Sequence, residues 1–362
     1  PSAMIFDDHD IRDDWNTSLA WKQEMESTTW WHERIVSGLA SYWVHQHLGN
    51  LPPEERERDE IWQRIAAHPV DHEDEFDAGD LLDALADRAD QQPDSYRWSY
   101  SHDLGSQARL VVIDSRAARV LDPDHRSMLD DSEMAWLDDQ LRGDVDHLLI
   151  GTSLPFLLTP GLHYVEAFTE ALAAGAWGER WKKIAERMRQ GIDLEHWAAF
   201  QDGFQKVSHM VLEVARGERG RAPHAVTFLS GDVHHSYVSE ARPSRKAARR
   251  CPAQQSRILQ AVCSPIRNQL PTTQRATAAL AAYWVAGPIG RLMARSTKVP
   301  TAPLRWSLMK GPWFDNNMAT LEVTSDGLRM WWASGKVEDD VNHRPRLVTV
   351  ADVTVDAPRS GR

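Results

Sequence analysis

Short apolar runs that stop abruptly at polar loops punctuate this chain. In the clearest, Ala225-Val226-Thr227-Phe228-Leu229 is rich in β-formers and breaks at Ser230-Gly231 into Asp232, His234 and His235. The pattern predicts a buried strand that delivers a carboxylate and imidazoles to a loop at its carboxyl end, where open α/β sheets bind ligands. Gly231 is the expected site of the sharp turn. Ala3-Met4-Ile5-Phe6 followed by Asp7-Asp8-His9-Asp10 repeats this grammar, with Asp13, Asp14 and Asn16 close behind. Tyr96 to Tyr100 reads as a strand. Leu110-Val111-Val112-Ile113 runs into Asp114-Ser115-Arg116, and Leu148-Leu149-Ile150-Gly151 into Thr152-Ser153.

Helical periodicity fills the intervals. Asp130-Asp131-Ser132 signals the start of a helix through Trp136, Leu137 and Leu141, its acidic first turn suited to the helix dipole. Trp197, Phe200, Phe204, Val207, Val211 and Val214 fall at steps of three or four, and Gly217 follows as a C-cap. Residues 17–92 read as polar and largely helical, with Trp21, Trp30, Trp31, Ile35 and Leu39 at roughly helical spacing. This stretch is expected to be an insertion or cap over the site. Later strands are predicted over Arg257–Val262, in a hairpin of Met318–Val323 and Leu328–Trp332, and over Arg346–Val355. Alternating strands and helices argue for α/β layers in one main domain, 1–355, with a tail at 356–362.

Composition narrows the function classes. A net charge of −12 gives no global basic field for nucleic acid, and Lys22 and Arg34 among the tryptophans form no basic stripe. The basic run Arg242 to Arg250 reads as a solvated loop, and Asp71 to Asp90 as a solvated acidic face. No apolar run reaches the ~18 residues of a spanning helix; the nearest, Ala276 to Ala294, is broken by Gly287-Pro288 and Arg291. Cys251 and Cys263 form no CxxC and cannot build a disulfide framework. No signal peptide is visible, the first residue is Pro1, and 4–6 already looks like the end of a strand. From these the native chain is expected to begin upstream.

The two polar clusters, DDHD and GDVHH, each pair carboxylate with imidazole after a strand. Together they suggest a metal-assisted hydrolase. Oxygen ligands from Asp8, Asp13, Asp14 and Asp232 favour hard cations, namely Ca, Mg, Mn or ferric iron. Two metals ~3.5–4 Å apart would clamp an in-line displacement at phosphorus, with a nearby histidine protonating the leaving alkoxide. Arg116, at the end of a buried run, either forks onto phosphate oxygens or ties down Asp114 or another carboxylate.

These residues carry a resemblance. Asp7-Asp8-His9-Asp10 with Trp15, and Gly231-Asp232-Val233-His234, resemble the signatures of the alkaline phosphatase D-like (PhoD-like) branch of the calcineurin-like metallophosphoesterases. Leu110 to Arg119, Ser127 to Leu137 and Trp313 to Met318 are similar to weaker blocks of that family. The resemblance implies a four-layer α/β/β/α sandwich, here lacking its first strands and carrying a helical insertion. It implies Asp8, Asp232 and His234 as metal ligands, with Asp13 or Asp14 as a further one, and His9 as general acid and phosphate contact. It implies hydrolysis of phosphate mono- or diesters by a metal-bound hydroxide, with two or more metal ions in the complete protein. The expected partner is thus a small phosphate ester.

Two departures from the family pattern matter. The family's ligand histidine between the two motifs has no match where the strand ends in Gly151-Thr152-Ser153. The Gly-Asp-x-x-Tyr-like segment that supplies a bridging carboxylate precedes DDH in the family and is not in this sequence. A non-catalytic relative that binds metal, phosphate or a protein partner is therefore the alternative reading.

Overall fold

The computed structural model describes residues 2–68, 76–122, 125–182, 184–185, 195–249, 253–267, 286–337 and 345–357. Cys251, part of the acidic stretch after Asp71, the front of the 276–294 run and most of the tail lie outside them. Cys263 is a free thiol.

Seven strands form one sheet: β1 (Tyr100–Leu104), β2 (Ala108–Val112), β3 (His147–Gly151), β4 (Ala225–Ser230), β5 (Ser236–Pro243), β6 (Arg257–Val262) and β7 (Leu304–Trp313), in the order β1-β2-β3-β4-β6-β5-β7. β2, β3, β4 and β6 run parallel, whereas β1, β5 and β7 are antiparallel additions. The parallel strands are the continuous apolar runs of the sequence, because both their faces are covered. A second sheet joins β8 (Met318–Thr324), β9 (Gly327–Val337) and β10 (Pro345–Asp356). Ser325-Asp326 turns the expected hairpin, with Thr324 paired to Gly327.

Helices cover one face of the large sheet and the small sheet covers part of the other. On the helical side, Phe204, Val207, Val211 and Val214 of the helix Gln201–Arg216 pack with Val226 and Phe228. Gly217 closes this helix at φ 76°, the left-handed cap its sequence position predicts. Trp197 and Phe200, expected on the same helix, precede it: Trp197–Ala199 form a separate 3-10 turn. Between the sheets, Val238, Leu259 and Ala261 meet Met330, Trp332 and Val353. The architecture is a mixed α/β sandwich.

The helices within 19–66 and 79–91 build a core of their own. Trp31, Ile35, Leu39, Tyr42 and Trp43 enclose Phe6, Ile11, Trp15 and Trp98. Most of the helical tryptophans are thus spent on packing, while Trp30 remains exposed. The expected strand at Ala3–Phe6 is instead an extended segment outside both sheets. The Asn50 side-chain amide replaces a neighbouring strand there, accepting from Met4 N at 2.8 Å and donating to Met4 O at 3.1 Å. Tyr96 to Tyr100 also differs from expectation, since β1 begins only at Tyr100.

Glu133, in the first turn of the helix Asp131–Gln140, ties that helix to the approach to β1. Its Oε1 accepts from the backbone of Trp98 and Ser99 at 3.2 and 3.4 Å, and its Oε2 has no hydrogen-bond partner. Burial, reinforced by the nearby Asp114, pushes this carboxyl from 4.5 up to about 8. Between those values the unfolded chain has lost a proton that the folded chain keeps, so stability falls as pH rises through the window. Glu133→Gln mimics the protonated form. It should remove this slope and stabilise the protein at pH 8 by on the order of 1–3 kcal/mol. Urea unfolding of both proteins at pH 5 and pH 8 measures the effect, and parallel pH dependences would count against it.

Candidate metal centre

β2, β3 and β4 end in register. Val112 pairs with Gly151, and Gly151 with Leu229. The row continues as Ile113 N donates to Gly151 O, Thr152 N to Leu229 O and Gly231 N to Ser153 O, at 2.8, 3.0 and 3.1 Å. Arg116, Ser153 and Asp232 thereby leave the sheet at one edge, the carboxyl ends of parallel strands.

The turns beyond that edge are strained at chosen positions. Asp232 and His234 adopt φ of 74° and 53°, and Asp14 and Asn16 adopt 66° and 59°. Left-handed backbone costs an L-residue about 1–2 kcal/mol, least for Asp and Asn. The sharp turn is therefore made by Asp232 and His234, not by Gly231, whose φ is not positive. Gly231 instead leaves room beside Cys263 O, 3.3 Å from where a Cβ would stand. In the other loop, Asp8–Asp10 is one 3-10 turn. Asp7 caps it by accepting from Asp8 N, and Asp10 returns the contact to Asp7 N. Asp10 is spent on this capping box.

Arg116 joins the two loops and is fully buried. Asp114 aims it by accepting the backbone N–H groups of Arg116, Ala117 and Ala118 at 2.8–3.0 Å. The guanidinium donates to Glu195 Oε2 at 2.7 Å, Ser153 Oγ at 3.2 Å and Asp7 Oδ1 at 3.1 Å. Its Nη2 also lies 3.4 Å from Asp8 Oδ1 and 3.4 Å from Asp232 Oδ2. Arg119 shares Glu195 at 2.9 Å and holds the carbonyls of Trp15 and Asn16. Of the two roles open to Arg116, a fork onto phosphate or a tie to a carboxylate, the side chain makes the second: it faces carboxylates and is buried.

Asp7, Asp8 and Asp232 each place a ligand-capable oxygen within 4.8 Å of the others. Asp8, His9 and Asp13 form a second such group, so Asp8 belongs to both. His9 and Asp13 are exposed, with Nε2 3.7 Å from Oδ1. Asp14 donates its backbone N–H to Asp8 Oδ2 at 3.1 Å, but its carboxylate is in neither group. His234 is exposed and also in neither, whereas its neighbour His235 is buried with Nδ1 2.6 Å from Val233 O.

Charge is unevenly held in this cluster. Burial pushes Asp7 up to about 7 against the pull of Arg116. Burial also raises Asp8, yet Arg116 and the hydrogen bond with Asp7 hold it below its ordinary value. Burial raises Asp232. Glu195 resists burial because Arg116 and Arg119 hold it down at about 2. A hard cation fits this donor set. The ligands are carboxylate oxygens, and Asp8 Oδ1 is buried without a hydrogen-bond partner. The cluster opens on a cleft of about 470 Å³ lined by Ile5, Asp7, Leu110, Val112, Leu229 and Asp232.

Asp7 was named in the sequence only as part of the DDHD motif, not as a ligand, and Glu195 and the His196–Glu166 pair were not singled out. His196 Nδ1 lies 2.7 Å from Glu166 Oε1. Burial opposes charge on His196, but Glu166 outweighs it and raises the imidazole. One signal for Glu195 was available: two arginines three apart after a buried strand demand a buried acid.

No family model and no curated protein matches this sequence. A solved structure titled "Structure of PhoD" is similar in fold, with a TM-score of 0.52 at 11% identity. The match covers 97% of this chain and 52% of that one, so the chain spans about half its length. The α/β fold is therefore PhoD-like.

Proposed function

We propose that this protein is a metal-dependent hydrolase of phosphate mono- or diesters. The observation that carries this reading is the convergence of Asp7, Asp8 and Asp232, from two loops far apart in the sequence, around a buried carboxylate oxygen that has no hydrogen-bond partner. The PhoD-like fold supports it, by analogy of fold alone. Asp7, Asp8 and Asp232 would hold the cation. When bound, a calcium, magnesium, manganese or iron ion supplies Lewis acidity and neutralises charge developing on the phosphoryl oxygens.

The chain's own residues have separable tasks. Arg116, itself held by Ser153 Oγ, fixes the carboxylates from beneath. His9, exposed at the rim with Asp13 Oδ1 3.7 Å from its Nε2, donates a proton to the leaving alkoxide. The helices from 19 to 91 brace the His9 loop, since Gln46 holds Asp10 and Arg34 holds Ile11 O at 3.2 and 2.7 Å.

The test is hydrolysis of p-nitrophenyl phosphate and bis-p-nitrophenyl phosphate with added metal and with chelator. His9→Ala should lower turnover roughly 10²–10⁴-fold while leaving metal content unchanged. Unchanged turnover would remove His9 from this role, and turnover indifferent to chelator would remove the metal.

A further inference from the structure

We propose that Arg116 is a cation built into the carboxylate cradle, and that a metal ion occupies the cradle only by displacing its Nη2. The proposal rests on the metal-dependent reading above. A single nitrogen faces one oxygen from each of the three candidate ligands, at 3.1 Å from Asp7, 3.4 Å from Asp8 and 3.4 Å from Asp232. An ion drawing on those oxygens meets this nitrogen first.

Nη2 has two protons for three oxygens. Only the Asp7 contact is a hydrogen bond, and Asp8 Oδ1 is left without one. The hold on the cradle is therefore incomplete by construction. The guanidinium keeps other anchors, Nη1 on Glu195 at 2.7 Å and Nε on Ser153 at 3.2 Å, so Nη2 can yield without freeing the side chain. Formal charge points the same way. Asp7, Asp8, Asp232 and Glu195 bring four carboxyl groups against the two guanidiniums of Arg116 and Arg119, so an added cation is favoured. The triad accordingly takes one ion, at an affinity lowered by competition with its own arginine.

Calcium and manganese titrations by calorimetry test this on the wild type, Arg116→Gln and Asp8→Asn. Arg116→Gln should bind at least tenfold more tightly than wild type. In wild type the Arg116 Nε–Hε resonance should shift in step with the first equivalent of calcium. If Arg116→Gln does not fold, that resonance in the intact protein decides alone. Equal or weaker binding by a folded Arg116→Gln, or an unmoved resonance while calcium binds, would overturn the inference and leave the metal-dependent reading standing. Asp8→Asn binding like wild type, or no binding by any of the three, would overturn both.

Discussion

Asp8→Ala should abolish cation binding at the cradle and, with it, phosphate ester hydrolysis. Asp8 is shared by both groups of candidate ligands, so its loss leaves neither with three donors. Its Oδ1 is also buried without a hydrogen-bond partner, with only the Arg116 guanidinium nearby at 3.4 Å. Losing a partner that merely supports a ligand costs about 10–100-fold in affinity. Removing a ligand itself should exceed that. The fold should survive, because the backbone bond lost, from Asp14 N to Oδ2, is worth roughly 1 kcal/mol, and Arg116 keeps its bonds to Asp7, Glu195 and Ser153. His234→Ala is the informative partner experiment. The resemblance implies His234 as a ligand, whereas its exposed ring lies outside both groups. Calorimetric calcium binding should therefore fall below detection in Asp8→Ala and stay near wild type in His234→Ala. Similar losses in the two variants would mean that the loop around His234 closes on the metal.

What was legible in the sequence follows from what local pattern encodes. Ala225–Leu229 and Leu148–Ile150 were readable because a central parallel strand is buried on both faces and needs an unbroken apolar run. β5 was not. Its Ser236, Ser239 and Glu240 look like loop residues, yet Ser236 Oγ donates to Ser264 O and Glu240 accepts from Arg257 across the sheet. Those partners are tertiary and leave no periodic trace. The site divides in the same way. DDHD and GDVH announce themselves by dense chemistry after a strand, and the structure brings Asp8 and Asp232 together. The orientation of each side chain was not encoded in the motif. The left-handed turn at Asp232 and His234 sends the first ring outward and leaves His235 inside. Glu195 entered no motif, because its meaning lies only in the two arginines it faces.

Those arginines make Glu195 the residue whose loss should damage stability most. Glu195 is buried, and its Oε2 alone accepts from Arg116 at 2.7 Å and Arg119 at 2.9 Å. Both guanidiniums are themselves buried. Truncating one member of a buried pair costs about 3–5 kcal/mol, because the surviving charge stays out of water without its partner. Glu195→Ala strands two such charges, though Asp7, Asp8 and Asp232 still face Arg116. The expected loss is therefore about 3–5 kcal/mol, read as a lower urea midpoint. The pH dependence has a definite sign. Arg116 and Arg119 hold Glu195 at about 2 against an ordinary 4.5, so its contribution is complete above 4.5 and is lost as pH falls toward 2. Wild type and Glu195→Ala should consequently differ most at neutral pH and converge in acid. A variant as stable as wild type at pH 7 would mean that water, not Glu195, carries the charge of this pair. Then the clasp between the Asp7–Asn16 loop and the sheet would rest on the carbonyl contacts of Arg119 and on the bonds that join Arg116 to Asp7 and Asn16.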